Sequence, residues 1–168
     1  MKLILFILAF VPIVSKSQIA CDSATKVIVD KFTKRRGLVI NELMVEYTAD
    51  QKSALAIGIK QVEGKDVDME VHVIDRAFGC TDETGRVYFM FSDSTTVDVV
   101  NRKGFNCDGA SLITLNAYYA RKIKEKLMAM PVIAVRVTSR KDSYETDLSP
   151  DNSKKLMRTV QCFFKPIE

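Results

Sequence analysis

From Thr25 to Leu115 apolar residues recur at every second position and are interrupted by turn residues, which is the pattern of half-buried strands. Thr25 to Thr33 reads as a strand and KRRG, Lys34 to Gly37, as a turn. Leu38 to Thr48 is the next strand, Ala49 to Lys52 a second turn and Ser53 to Gln61 a third strand. Val67, Met69, Val71 and Val73 alternate with Asp68, Glu70 and His72, the clearest case of one buried face in the chain. TDETG, Thr81 to Gly85, turns the chain into Arg86 to Phe91, where Tyr88 and Met90 oppose Val87, Phe89 and Phe91. Apolar residues on both faces predict a central strand. Ser92-Asp93-Ser94 then reverses the chain into Thr95 to Val100, and Ala110 to Leu115 is a further strand.

The period lengthens at Asn116, a good N-cap residue. Tyr119, Ile123 and Leu127 follow at i, i+4 and i+8, predicting an amphipathic helix that buries these three, turns its lysines to water and ends near Pro131. Val132 to Thr138 returns to strand, with Ile133, Val135 and Val137 on one face and Ala134 and Arg136 on the other. Ser149-Pro150-Asp151 reads as the first residues of a second, short helix carrying Leu156 and Met157, and Thr159 to Phe164 as a closing strand. No repeat, low-complexity stretch or linker divides the chain. The expected fold is mainly β (α+β): an antiparallel, sandwich-like sheet with two helices packed on it, forming one domain over residues 18 to 168.

The N-terminus changes where this fold is expected to work. Lys2, the apolar run Leu3 to Val14, and the small residues Ser15 and Ser17 have the form of a secretory signal peptide over residues 1 to 17, cleaved before Gln18. The run is shorter than the roughly 20 residues a membrane span needs. The expected location is therefore exported, periplasmic or extracellular, with no transmembrane segment. A lipoprotein anchor at Cys21 is the alternative, although Gln18 stands where an aliphatic residue is usual three positions before the cysteine. Without residues 1 to 17 the chain carries 23 basic and 21 acidic residues. So even a balance gives no global field for nucleic acid or an anionic membrane. Two local basic clusters, Lys34 to Arg36 and Arg121, Lys122, Lys124 and Lys126, read as a solvated turn and a solvated helix face.

All four cysteines, Cys21, Cys80, Cys107 and Cys162, follow the cleavage point, and an even number in an oxidising compartment reads as disulfides. They stand 59, 27 and 55 positions apart, without the C-x-x-C knuckle of a zinc site. Cys80 precedes the strand Arg86 to Phe91 and Cys107 follows its hairpin partner Thr95 to Val100. Antiparallel pairing brings the two together, leaving Cys21 with Cys162 for the second bridge.

Catalytic constellations are sparse. His72, the single histidine, shares a strand face with Glu70 and Asp68, a pair of ligands at i and i+2 for which the sequence names no third. One histidine also leaves a Ser-His-Asp or Cys-His mechanism without support, and no G-x-S-x-G is present. DLSPDNS, Asp147 to Ser153, alternates oxygen side chains as a calcium loop does. It lacks the glycine at the sixth position and the acid at the twelfth, where Asn152 and Arg158 stand. The acid pairs Asp82 with Glu83 and Asp93 with Asp98 are what a glycosidase would use, in a chain with no tryptophan for sugar stacking. No catalytic, cofactor-binding or metal residue is therefore assigned.

From Cys80 onward the succession of GC, TDETG, VYFMFSDSTTV, NC, a helix, VIAVRV and VQC resembles small exported β-rich proteins of uncharacterised function from Bacteroidota. The resemblance covers residues 79 to 165 and rests on an F-x-D-x-T hairpin, Phe91 to Thr95, between paired cysteines. Ser94 departs from it, where a glycine is expected in the turn. It implies a compartment and a fold, and no mechanism. The expectation is a non-catalytic binding or interaction domain for an unknown protein or small ligand of the envelope. An envelope hydrolase, with acids near Asp93 and Asp98 or with Glu70 and His72, and a structural envelope subunit are the alternatives.

Overall fold

The computed structural model describes residues 21, 25–29, 31–32, 34–40, 44–48, 51–62 and 66–164. The expected signal peptide lies outside them. Period-two alternation becomes strand wherever one side of the chain can be buried. β5 (Val67–Ile74) places Val67, Met69, Val71 and Val73 inside and leaves Asp68, Glu70 and His72 half-buried on the other face. It pairs with β4 (Ala54–Val62) on one side and β8 (Ala110–Thr114) on the other, both antiparallel. Gly109 leads into β8 at φ 69, where a Cβ would strike the Val73 carbonyl oxygen.

β1 (Thr25–Val29) and β2 (Arg36–Ile40) extend this sheet beyond β4, giving the order β1-β2-β4-β5-β8. The single strand expected over Leu38 to Thr48 is two. β2 pairs with the Lys60–Val62 end of β4, and β3 (Met44–Tyr47) pairs with its Ala54–Ile57 end, side by side along one edge. β1 also stops short of the expected Thr33, because Lys31 and Phe32 form the turn.

The second sheet has the order β10-β9-β6-β7. β6 (Arg86–Phe91) is central in it, between β7 (Thr96–Val100) and β9 (Val132–Thr138). Only one face of β6 is covered, however. Val87, Phe89 and Phe91 are fully buried, whereas Tyr88 is half-buried and Met90 exposed. The β6–β7 hairpin closes with Ser94 N–H donating to Phe91 O (2.8 Å) and Phe91 N–H to Thr95 O (2.9 Å). Ser94 sits at φ 63, the left-handed position where this turn favours glycine. β9 carries a bulge: Met90 pairs with Ala134 but Phe91 with Val132, so Ile133 is skipped and points outward, against the expectation that it joins Val135 and Val137. β10 (Ser143–Asp147) pairs with β9 in a segment not expected to be strand.

Two helices complete the core. α1 (Arg121–Ala129) buries Ile123 and Leu127 as expected, but Asn116 does not cap it. Asn116 Oδ1 instead accepts the Val67 N–H (3.0 Å) and its amide donates to Asp66 (2.9 Å), while a 3-10 turn, Tyr118–Ala120, leads into the helix. Tyr119 lies in that turn and is 42% exposed, with its hydroxyl accepting the Thr114 N–H (3.1 Å) and Arg102 over its ring. α2 (Pro150–Phe164) begins where expected and then runs through the predicted closing strand. Leu156, Val160 and Phe163 fall at i, i+4 and i+7 and are buried, so the helical stripe overrides the strand preference of the Thr159 to Phe164 composition. Gln161 Nε2 donates to Met128 O (2.6 Å), supplying a partner to a carbonyl in the last turn of α1.

The inner faces of both sheets and the stripes of both helices form one apolar cluster, with Phe89, Phe91, Ile57, Met69 and Leu156 among its fully buried members. The architecture is the expected α+β sandwich. Cys80–Cys107 and Cys21–Cys162 are both bridged, with Cα atoms 4.0 and 5.5 Å apart, and the described residues include no free cysteine. Two disulfides indicate an oxidising, exported environment. The second bridge also removes the acylation alternative at Cys21, since the sulfur that would carry the lipid is bonded to Cys162. No helix among the described residues is long and apolar enough to cross a membrane.

Candidate functional site

Of the acids singled out by the sequence, Asp68, Glu70, Asp82, Asp93 and Asp98 each meet a cation or hydrogen-bond donors. Glu70 and His72 share the outer face of β5, where His72 Nε2 lies 3.4 Å from Glu70 Oε2 and Lys60 of β4 donates to Glu70 Oε1 at 2.8 Å. The Lys60 hydrogen bond, working against partial burial, holds the Glu70 carboxyl below the usual carboxylate range. Asp68 accepts from Thr114 Oγ1 of β8 (2.9 Å). Among the described residues no group of three or more His, Cys, Asp or Glu side chains converges as metal ligands would.

Asp93 and Asp98 do not form a pair. Asp93 sits in the β6–β7 turn, accepting from the Thr95 amide and hydroxyl at 3.1 and 2.6 Å and from Lys126 Nζ of α1 at 2.6 Å. Its carboxyl is pushed down to about 2, chiefly by the Lys126 hydrogen bond and then by that of Thr95. Lys126, expected to face water, instead reaches back across Phe91, with its ammonium 5.2 Å from the ring centroid. Asp98 lies on β7 and is paired with Arg86. Asp82 is engaged by Thr84, its largest influence, and by Arg140 at 2.9 Å, and titrates below the ordinary aspartate value. In DLSPDNS, Asp147 ends β10 and Ser149 starts α2, its hydroxyl accepting the Asn152 amide (3.4 Å).

One acid without a sequence signal is Glu46 of β3. Its Oε2 accepts from the Ser149 amide and hydroxyl, both at 2.9 Å, and from Asn152 Nδ2 at 2.8 Å. Burial would raise this carboxyl, but the hydrogen bonds from Asn152 and Ser149 outweigh it and leave it below the ordinary value. A carboxylate at a helix N-terminus is favoured by the unpaired amides and the dipole there. Glu46 thus ties the first sheet to α2.

Two surfaces remain. The outer face of the second sheet has an open depression of about 310 Å³ over Tyr88, Met90, Thr96 and Ala134, rimmed by the Arg136–Glu145 ion pair at 2.5 Å. The other surface is β1. Thr25, Val27 and Val29 share the face of Leu38 and Ile40, yet Val27 and Val29 are 63% and 56% exposed, because the layer covering the core ends before it reaches them. On the opposite face Ile28 is 40% exposed. Lys26, Lys31, Lys34, Arg35 and Arg36 against Asp30 give the hairpin an excess of four positive charges, equal to the formal net charge of the whole chain, +4. The basic turn read as merely solvated therefore adjoins an apolar strand edge. In comparison with known proteins the chain matches no family model, no curated protein and no solved structure.

Proposed function

We propose that the protein is a non-catalytic binding or interaction domain, working outside the cytoplasm in the periplasm or beyond the cell, and that it groups with the small exported β-rich proteins of Bacteroidota that its second half resembles. The observation that carries this reading is the state of the candidate acids. Glu70 and Asp93 are stabilised as carboxylates by lysines on open surfaces. A general acid at neutral pH needs the opposite, a carboxyl raised toward pH 6 or 7 by burial (about 6–7). Exposed apolar side chains on an edge strand suit recognition rather than chemistry.

Carboxyl titration followed by carbon-13 NMR tests the proposal. Asp93 is expected to titrate at about 2, and Glu70 and Glu46 below the ordinary 4.5 of glutamate. A side-chain carboxyl titrating above about pH 6 would support the hydrolase instead. The compartment is tested separately by the intact mass of the secreted chain: a mass that begins at Gln18 supports export with cleavage after Ser17, and an uncleaved chain refutes it.

A further inference from the structure

We propose that the open edge of β1 accepts an extended, acidic segment of a partner protein as an added strand, held by main-chain hydrogen bonds along Thr25–Val29 and by the positive charge of the β1–β2 hairpin. This rests on the reading of the chain as a binding domain and names the chemistry of its partner.

Among the described residues the β8 and β3 borders of the first sheet each meet hydrogen-bond partners. Beyond β8, Arg102 N–H donates to Leu112 O (2.8 Å), and Asn101 Oδ1 accepts the Leu112 N–H (2.9 Å). Beside β3, Asn152 Nδ2 of α2 donates to Val45 O (3.0 Å). β1 pairs only with β2, so among the described residues its outer row of N–H and C=O groups is open. An unpaired edge with exposed β-branched side chains is a template for another strand.

The positions of the side chains select the occupant. Val27 and Val29 project from one face of β1 and Ile28 from the other. A planar lipid surface reaches only one of these faces, whereas a strand added edge-on lies beside both. A second copy would bring two hairpins of the same positive charge together, each with the excess of four. An acidic strand meets that charge with the opposite sign, and alternating apolar residues along it would cover the valines or the isoleucine.

The probe is the synthetic peptide Glu-Val-Glu-Ile-Glu-Val-Glu, fluorescently labelled and titrated with the disulfide-bonded protein while anisotropy is recorded. Binding is expected to weaken about tenfold or more when salt is raised from about 30 to about 300 mM, as exposed charges are screened. Similar losses are expected for the Lys26→Glu/Lys34→Glu variant and for a fully N-methylated peptide, which keeps the side chains but has no backbone donors. Val27→Ser/Val29→Ser should weaken binding about threefold with an unchanged thermal midpoint, because both side chains are exposed. Amide shifts on peptide binding should centre on residues 25–29. Equal affinity for the N-methylated peptide would overturn the proposal. So would shifts centred on Tyr88 and Met90, a β1-mediated dimer without peptide, or binding of vesicles of phosphatidylcholine and phosphatidylglycerol (about 3:1) that Val27→Ser/Val29→Ser abolishes. Loss of peptide binding with all carboxyls titrating low refutes the partner alone. A carboxyl above about pH 6 refutes the binding-domain reading whatever the peptide does.

Discussion

Replacing Cys21 and Cys162 together with serine should release β1 while the rest of the fold holds. β1 pairs with β2 at five positions, from Thr25↔Ile40 to Val29↔Arg36, and of its five residues four are exposed and one half-buried. Ordering five backbone units costs about 5–10 kcal/mol at about 1–2 each. A ladder of about five hydrogen bonds contributes about 3–7 kcal/mol at about 0.5–1.5 each, and burial adds little. The strand is left short by about 2–3 kcal/mol, taking the middle of both ranges. The Cys21–Cys162 bridge supplies the difference. It fixes the chain four residues before Thr25, whose hydroxyl donates back to the Cys21 carbonyl (3.2 Å). With the rest of the fold in place, the stretch the bridge closes runs only from Cys21 to Arg36 at the start of β2, and for a loop of about 15 residues the chain-entropy model gives about 3 kcal/mol, which matches the shortfall. Native-state hydrogen exchange measures the effect strand by strand. The amides of residues 25–29 should lose protection by about 30- to 150-fold, the equivalent of about 2–3 kcal/mol, while β5 and β6 keep most of theirs. The Cys80→Ser/Cys107→Ser variant should leave β1 protected. Unchanged protection of β1 without its bridge would refute the reasoning, as would an equal loss in β1 and β5.

Ile123→Ala should cost about 2–4 kcal/mol, since the side chain is fully buried among the core residues, and Tyr119→Ala about 1–2, since it loses a half-exposed ring, its contact with Arg102 and one hydrogen bond. Urea midpoints that shift equally would place the helix stripe wrongly. The Asp93 ion pair makes stability pH-dependent: with the folded value near 2 and the ordinary value 3.8, its contribution is present above about pH 4 and is lost as pH falls through about 2. The thermal midpoint should accordingly drop between about pH 4 and pH 2, and Asp93→Asn should lower it at neutral pH and flatten that drop; an unaltered profile would show that the Lys126 contact contributes nothing.

β5 was legible because one alternation decides everything about it: an apolar face, a polar face and neighbours on both sides. The cysteine pairing was legible for a related reason, since the hairpin between Cys80 and Cys107 is local and its closure brings the two cysteines together. Where the reading failed, tertiary packing outweighed local preference. Thr159 to Phe164 has the composition of a strand, but its place on α2 buries Val160 and Phe163 in line with Leu156, which a strand's period of two would not do. β10 offers only Tyr144 as an apolar residue on its inner face, too little for periodicity to register, and it exists because β9 provides a ladder. The bulge at Ile133 reverses which residues face inward, whereas the break in Leu38 to Thr48 ends one strand and starts another with Leu38, Ile40 and Met44 still on the core face, so the alternation alone does not reveal it.

The contacts that hold the layers together were the least legible, because they join residues far apart in the chain. Glu46 meets Ser149 across 103 positions and Lys126 meets Asp93 across 33, and nothing near any of these residues distinguishes them from solvated surface charges. The same gap separates the basic turn at Lys34 to Arg36 from its significance. In sequence it is a solvated turn; in the fold it lies beside a strand whose apolar residues no layer covers and whose outer edge has no partner among the described residues. A disulfide spent on such a strand is hard to account for by the core, to which β1 contributes almost nothing. It is accounted for if the strand is there to be met by another chain, since an ordered edge avoids the entropy cost of folding on binding.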